Sequence, residues 1–162
     1  MHRHINLKDW PAWEAHMSEC IFCRIANRSE PASVVYSDET VMAFMDIRPV
    51  NPGHALVIPK AHASELSELD ENTGAQMFKI GMRLAEALRR SSVRCEGVNL
   101  LLSDGEAAFQ EVFHVHLHVI PRFKGDRFGI KFGNRYGLGS DRKGLDRIAL
   151  SIKKAMHMPP SV

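Results

Sequence analysis

Residues 112–120 read Val112-Phe113-His114-Val115-His116-Leu117-His118-Val119-Ile120, three histidines in strict alternation with apolar residues. Alternation over that length predicts a β-strand over residues 112–121, in which side chains two positions apart stand about 6.5–7 Å from each other on one face. His114, His116 and His118 then share one face, and Phe113, Val115, Leu117 and Val119 share the other, which anchors the strand in a core. Three imidazoles in a row do not suit a dry interior, because each brings a donor and an acceptor that burial leaves seeking partners. Three uses remain: catalysis by the side chain that changes charge near neutral pH, a metal-binding ladder, or a solvated polar face.

The flanking sequence supplies partners for this strand. Residues 33–37 and 40–45, rich in Val, Tyr and Phe and separated by Asp38-Glu39, predict a hairpin. Asn51-Pro52-Gly53 breaks the chain before a third strand at 54–58, which Pro59-Lys60 ends. Met77, Ile80, Leu84 and Leu88 recur at helical spacing, with Asp70 as N-cap and Arg89 and Arg90 near the C-terminal end, where cations suit the macrodipole. Residues 98–103 predict a fourth strand. Beyond the histidine strand a Gly-rich loop leads into a last helix with Leu145, Ile148, Ala149 and Ile152 on its apolar face. The expected fold class is α+β, a mostly antiparallel sheet of about five strands backed by one long helix, with a C-terminal helix.

A chain of 162 residues is the size of one domain and can bury a core without staples. Residues 19–162 are expected to form it, preceded by an N-terminal extension over residues 1–18 that carries His2, His4, Trp10, Trp13 and His16 without a clear period. A formal net charge of +2 argues against a nucleic-acid groove or a membrane surface as partner. Three cysteines, with Cys20 and Cys23 in a Cys-x-x-Cys pair, suit a reducing compartment better than a disulfide framework. With no run long enough to span a bilayer and no apolar signal core at the N-terminus, the expected location is cytoplasmic.

The segment from His114 to Ile120 resembles the signature of the histidine-triad (HIT) nucleotide hydrolases and transferases, His-φ-His-φ-His-φ-φ with φ apolar, without a mismatch. Further landmarks of that family stand in the same order: Cys20-Ile21-Phe22-Cys23-Arg24-Ile25, Ala43-Phe44-Met45-Asp46-Ile47, Pro52-Gly53-His54 running on to His62, and Ile120-Pro121-Arg122. The resemblance implies a homodimer with one sheet running across both subunits, so that Met77, Phe78, Met82 and Leu100 are candidates for interface as well as core. It implies His116 as nucleophile toward an α-phosphorus, giving a nucleotidyl-histidine intermediate that water resolves. His118 would contact the phosphate or assist proton transfer, His54 would support the triad, and His114 would orient it or bind metal. Asp46 would accept from the ribose hydroxyls, and Ile21, Phe22, Ile25, Phe44 and Ile47 would line a purine pocket.

Two positions depart from the family pattern. Where many members read Gly-Gln-Ser/Thr-Val, this chain reads Phe109-Gln110-Glu111-Val112, replacing a small hydroxyl by a carboxylate whose charge repels phosphate unless it turns away or moves protons. Ser103 stands where asparagine is frequent. Gln110 and Ser103 remain candidate polar contacts to the phosphate or leaving group. Cys20-x-x-Cys23 has the spacing of half a structural zinc site, and the resemblance supplies His62 and His114 as the other ligands. The implied cofactor is a closed structural zinc, with no organic cofactor. The expected activity is that of a phosphoramidase or dinucleoside polyphosphate hydrolase acting on purine nucleotides, and the alternative is a nucleotide-binding scaffold with negligible turnover.

Overall fold

Asp38 builds the first turn: its carboxylate accepts the backbone N–H groups of Thr40 and Val41, both at 2.8 Å, and the Tyr36 hydroxyl at 2.9 Å. The flanking strands Val34–Ser37 (β1) and Val41–Met45 (β2) therefore pair antiparallel, as the alternation predicts. This is a computed structural model, and it describes residues 20–129, 132–134, 136–139 and 141–157. The histidines and tryptophans of the N-terminal extension lie outside the described residues.

Ala55–Pro59 (β3) pairs antiparallel with β2, and the histidine segment enters the sheet between β3 and Gly97–Leu102 (β4) as Leu117–Arg122 (β5). The five strands lie in the order β1-β2-β3-β5-β4, so β1 and β4 are the edges. Strand parity divides the sheet into two faces. Val41, Ala43, Val57, Val115, Leu117 and Val119 form one core with Met77, Ile80 and Ala85 of the long helix. Met42, Phe44, Leu56 and Ile58 form a second with Phe22 and Ile25 of a short helix, Ile21–Ala26 (α1). The expected α+β architecture is the one observed. Glu71–Arg90 (α2) carries the predicted cap, with Asp70 accepting from the Thr73 N–H at 3.0 Å. No helical period marks α1 in the sequence, since six residues give fewer than two turns of pattern.

The histidine strand is shorter than its alternation predicts. Regular pairing begins at Leu117, because the register Ala55↔Val119, Leu56↔His118 and Val57↔Leu117 leads toward Pro59, which has no N–H to give. Val115 N–H instead donates to Ala63 O at 2.8 Å, and His114 N–H to Val112 O at 2.8 Å. Phe113, expected beside Val115 on the apolar face, is consequently 48% exposed. The imidazoles are not solvated either: His114 and His116 are buried and His118 is half-buried, on the face that α1 covers.

The described residues fall into two compact units, divided between Arg127 and Phe128. The second contains Arg142–Met156 (α3), capped by Asp141 accepting the Gly144 N–H at 2.9 Å. Its apolar residues Leu145, Ile148 and Ile152 are all exposed. Among the described residues no helix is long and apolar enough to cross a membrane.

Two glycines of α2 separate packing from propensity. A Cβ on Gly81 would stand 2.8 Å from Leu117 Cδ2 in the core, whereas one on Gly74 would meet Leu69 Cδ2 at an ordinary 3.4 Å. Gly81→Val should lower unfolding free energy by about 1–3 kcal/mol through overpacking. Gly74→Ala should raise it by up to about 1 kcal/mol through helix propensity. Urea titrations of both variants check the opposite signs.

Candidate functional site

The sheet face under α1 carries two adjoining clusters that meet at His114. In the first, Cys20 and Cys23 from the start of α1 approach His62, past β3, and His114. Cys20 Sγ is 3.4 Å and Cys23 Sγ 3.5 Å from His114 Nδ1, Cys23 Sγ is 3.3 Å from His62 Nδ1, and the two Nδ1 atoms are 3.3 Å apart. Tetrahedral coordination with Zn–S near 2.3 Å and Zn–N near 2.0–2.1 Å requires edges of about 3.6 Å for S···N and about 3.3 Å for N···N. The four donors fit a tetrahedral ion and could hold one. Both imidazoles turn Nδ1 inward and leave Nε2 for outer partners: His114 Nε2–H donates to Pro59 O at 2.9 Å, and His62 Nε2 lies 3.2 Å from Ser64 Oγ. Burial and the adjacent Cys20 push the Cys23 thiol up to about 12, so without a cation the pocket keeps that thiol protonated.

His116 follows on the same face. Its Nδ1–H donates to the carbonyl oxygen of His114 at 2.7 Å, which leaves Nε2 as the nitrogen with a free lone pair. Phe22 stands edge-on to it, with ring centroids 5.3 Å apart and planes at 72°, and packs likewise against His114 and Phe44. Burial holds the His116 pKa below the ordinary imidazole range, opposed by its bond to the His114 carbonyl and by the charges of Asp46 and Glu111. A neutral ring with a fixed tautomer is a nucleophile that needs no deprotonation step.

His118 is served by a relay. Its Nδ1 is 2.9 Å from Nε2 of the buried His54, whose Nδ1 accepts the Val50 N–H at 3.2 Å and lies 3.5 Å from Asp46 Oδ2. With Val50 donating, His54 carries its proton on Nε2 and gives it to His118 Nδ1, so His118 keeps its own proton on Nε2. If His118 becomes an imidazolium, its Nδ1–H donates to His54 Nε2, the His54 proton moves to Nδ1 facing Asp46, and the Val50 N–H gives up that acceptor. Asp46, His54 and His118 also lie close enough to be a metal triad, yet His54 faces its two neighbours through different nitrogens, which suits proton relay better than a shared ion. Burial is the main cause lowering His54 and His118, the latter to about 4.

The other expected contacts divide. Asp46 accepts the Arg48 N–H through Oδ1 at 2.8 Å and stays half-buried beside the relay. Phe22, Ile25 and Phe44 are buried in the second core, Ile21 packs at its margin, and Ile47 is 90% exposed. A cavity of about 310 Å³ opens beside β1, and of these five only Ile25 lines it, with Arg28, Glu30, Pro31, Ala32 and Met42 among the others. Ser103 is the first residue past the Leu102↔Leu117 pair, where β4 ends. Gln110, expected at the phosphate, is instead buried with its amide engaged internally: Oε1 accepts from Gly105 N–H at 2.7 Å, and Nε2 donates to Ser64 O at 2.7 Å and Val112 O at 3.1 Å. Glu111 beside it is exposed.

Sequence patterns did not single out Asn51, which organises the turn before His54. Its side chain donates to Pro121 O at 2.8 Å and Asp126 Oδ2 at 2.9 Å, while its own carbonyl accepts the His54 N–H at 3.0 Å. Its only trace was membership of the breaker Asn51-Pro52-Gly53, where Gly53 takes φ +97°.

The depressed histidines tie stability to pH. A histidine whose folded pKa lies below its unfolded value, ordinarily near 6.5, stabilises the fold fully above that value and loses the contribution as pH falls through the folded one. Outside the Cys/His quartet, burial lowers His54 and holds His118 at about 4. Melting temperature should be level from pH 8 to 7 and fall between about pH 6.5 and 4. Scanning calorimetry across that range checks the sign, and a melting point rising on acidification would contradict it.

Residues 27–125 match the family model described as the HIT domain. An uncharacterized HIT-like protein of Borreliella burgdorferi is 46% identical over 123 residues, 75% of this chain and 88% of that protein. The adenylylsulfatase HINT3 of Arabidopsis thaliana is 33% identical over 109 residues, 67% of this chain and 55% of that protein. Among solved structures, a Zn-bound histidine triad family protein from Mycobacterium smegmatis superposes with a TM-score of 0.68 at 38% identity, covering 87% of this chain and 99% of that one. A histidine triad nucleotide-binding protein from Candida albicans gives 0.75 at 26% identity, covering 85% and 97%. With the triad, its relay and the Cys/His quartet in place, this chain belongs to the HIT family.

Proposed function

We propose that the protein is a nucleotide hydrolase or transferase that cleaves at the α-phosphorus of purine nucleoside phosphoramidates or dinucleoside polyphosphates through a covalent nucleotidyl-His116 intermediate. The fixed tautomer of His116 carries this proposal, with Nδ1–H on the His114 carbonyl and Nε2 free. The relative that is an adenylylsulfatase supports action on an adenylyl compound.

His116 Nε2 forms a bond to phosphorus as the bond to the leaving atom breaks. The electron pair of that bond stays on the leaving atom, which takes a proton from Nε2 of His118; the ring, neutral in the free site, enters this step as an imidazolium by taking up a proton with the substrate, whose anionic phosphate raises its proton affinity. His54 and Asp46 accommodate that form through the reversed relay. Water then adds its oxygen to phosphorus, the P–N bond returns its pair to His116 Nε2, and one water proton passes to His118, restoring the starting state. Asp46 takes the ribose hydroxyls, and Phe22, Ile25 and Phe44 form the apolar floor near which the base is held.

Zinc is the ion that best suits the Cys20, Cys23, His62 and His114 quartet, on donor type and on the tetrahedral edges. Bound there it would be closed by four protein ligands and would supply structure rather than a reactive water. The assembly is a homodimer: Phe78 and Met82 expose more than half of their surface on α2, next in sequence to the edge strand β4, which exposes Leu101. Met77 and the half-buried Leu100 belong to the subunit core.

His116→Ala should lower nucleoside monophosphate release from adenylated substrates by at least a thousandfold while leaving monophosphate affinity within a few-fold. Acid-quenched wild-type enzyme should carry a nucleotidyl adduct on His116 by mass spectrometry. Activity within a few-fold of wild type would remove His116 as nucleophile, and a wild-type protein that binds nucleotide without turnover would be a binding scaffold.

Elemental analysis of protein purified without chelator should find close to one zinc per chain. Cys23→Ser should destabilise the fold by several kcal/mol, because ligand binding is coupled to folding, whereas Cys95→Ser should cost less than about 1 kcal/mol. Equal stability of the two variants, together with metal-free wild-type protein, would refute the zinc site.

A further inference from the structure

Asn51 lies outside the row of histidines yet bonds to both of the elements that carry the proton relay. It is buried, and its amide nitrogen donates to two acceptors, Pro121 O at 2.8 Å and Asp126 Oδ2 at 2.9 Å. An NH₂ group satisfies both at once, whereas a carboxylate of the same size would turn lone pairs on each. Asp126 is a firm anchor, since Arg122 holds it in a two-pronged pair, Nε to Oδ2 at 2.6 Å and Nη2 to Oδ1 at 2.8 Å. Pro121 and Arg122 belong to β5, the strand that presents His118. On the other side, the Asn51 carbonyl accepts the His54 N–H at 3.0 Å, and the His54 carbonyl accepts the Asp46 N–H at 3.0 Å, which closes the turn between Asp46 and His54. Regular pairing of β3 with β5 is recorded only as far as Ala55↔Val119, one residue short of His54. The Asn51 side chain ties turn to strand beyond that point.

We infer that Asn51 is a positioning residue for proton transfer, which by fastening the Asp46–His54 turn to β5 sets both the His54–His118 contact and the tautomer of His54. The inference rests on the nucleotidyl-transfer function proposed above and assigns it a residue that acts through His54. The two rings meet at 2.9 Å from separate elements, and a displacement of several tenths of an ångström would take that contact out of hydrogen-bond range. The Val50 N–H, at 3.2 Å from His54 Nδ1, fixes the ring only while Nδ1 is an acceptor. Once His118 is charged and the His54 proton moves to Nδ1, that bond is lost. The bonds of Asn51 to Pro121, Asp126 and the His54 N–H involve no ring atom of the relay, so they persist in both protonation states. The backbone of His54 is thereby held while its side chain switches. A leaving amine needs the proton that His118 delivers, whereas a nitrophenolate departs without one. Misplacing the relay therefore costs rate on the first kind of substrate, while a purely structural loss of Asn51 would cost both alike.

Asn51→Asp, equal in size and opposite in donor pattern, tests it with two readouts. The first is kcat/KM, which ends at departure of the leaving group, on an adenosine 5′-phosphoramidate of a simple alkylamine and on adenosine 5′-(4-nitrophenyl) phosphate. The variant should lose about tenfold or more on the phosphoramidate and stay within about threefold of wild type on the nitrophenyl ester. The second is nitrogen NMR of the imidazoles in substrate-free protein, where wild-type His54 should carry its proton on Nε2 and the variant should show the other tautomer or a mixture. If Asn51→Asp does not fold, Asn51→Ser, which leaves one hydroxyl donor for two acceptors, carries the same readouts. Equal losses on the two substrates, or a wild-type His54 tautomer in the variant, would overturn the positioning role and leave the hydrolase function standing. Release of nucleoside monophosphate from neither substrate by wild-type protein would overturn the hydrolase function, and the NMR comparison would still decide whether Asn51 sets the His54 tautomer.

Discussion

The 2.7 Å hydrogen bond from His116 Nδ1 to the carbonyl oxygen of His114 is the constraint on which the site depends. It fixes one tautomer in a ring that would otherwise exchange between two, and so decides which nitrogen faces the substrate. His114 can offer that carbonyl because its ring is held independently, with Nδ1 among the sulfurs of Cys20 and Cys23 and Nε2–H on the Pro59 carbonyl. One residue therefore joins the Cys/His cluster, the end of β3 and the nucleophile. Pro59 matters twice over: without an N–H it ends the ladder, and its carbonyl is then available to the His114 ring.

Burial of the triad is where elementary expectation and the fold part company. Imidazoles were expected to avoid the interior for want of partners, yet His54, His114 and His116 are all buried. The rings share their needs with one another and with nearby backbone, so no buried side-chain nitrogen or oxygen among the described residues lacks a hydrogen bond. The cost appears instead in proton affinity. Desolvation leads the causes that lower all four histidine pKa values, and neutral rings result near physiological pH. The same desolvation that would make an idle histidine a liability keeps the nucleophile unprotonated.

Much of this was legible in the sequence because local pattern and tertiary environment agree. The five strands, the α2 cap at Asp70 and the parity that puts three histidines on one face follow from period and capping chemistry alone. The Cys20, Cys23, His62 and His114 grouping came from resemblance and converges in space. What was illegible depends on contacts distant in sequence. The early end of β5 is set by Pro59, more than fifty residues away, and the confinement of Gln110 by the Ser64 carbonyl. Neither can be read from residues 109–121. Helix α1 left no periodic signal because it is too short to have one.

That brevity has a consequence for the whole site. Six residues of helix are far too few to persist in water on their own account, since nucleation alone is unfavourable. Helix α1 is held by Phe22 and Ile25 in the second core and by Cys20 and Cys23 against His62 and His114. Phe22 is in turn the ring packed edge-on against His116, so whatever seats α1 also seats the wall of the nucleophile. The opposite face of the sheet has no such dependence, because α2 covers it with a long, capped and apolar-striped helix. Stability and chemistry are thereby divided between two faces of one sheet. The chemical face draws its order from a polar cluster as well as from a smaller apolar core, and its geometry responds to the state of two cysteines and two histidines in a way that the α2 face does not.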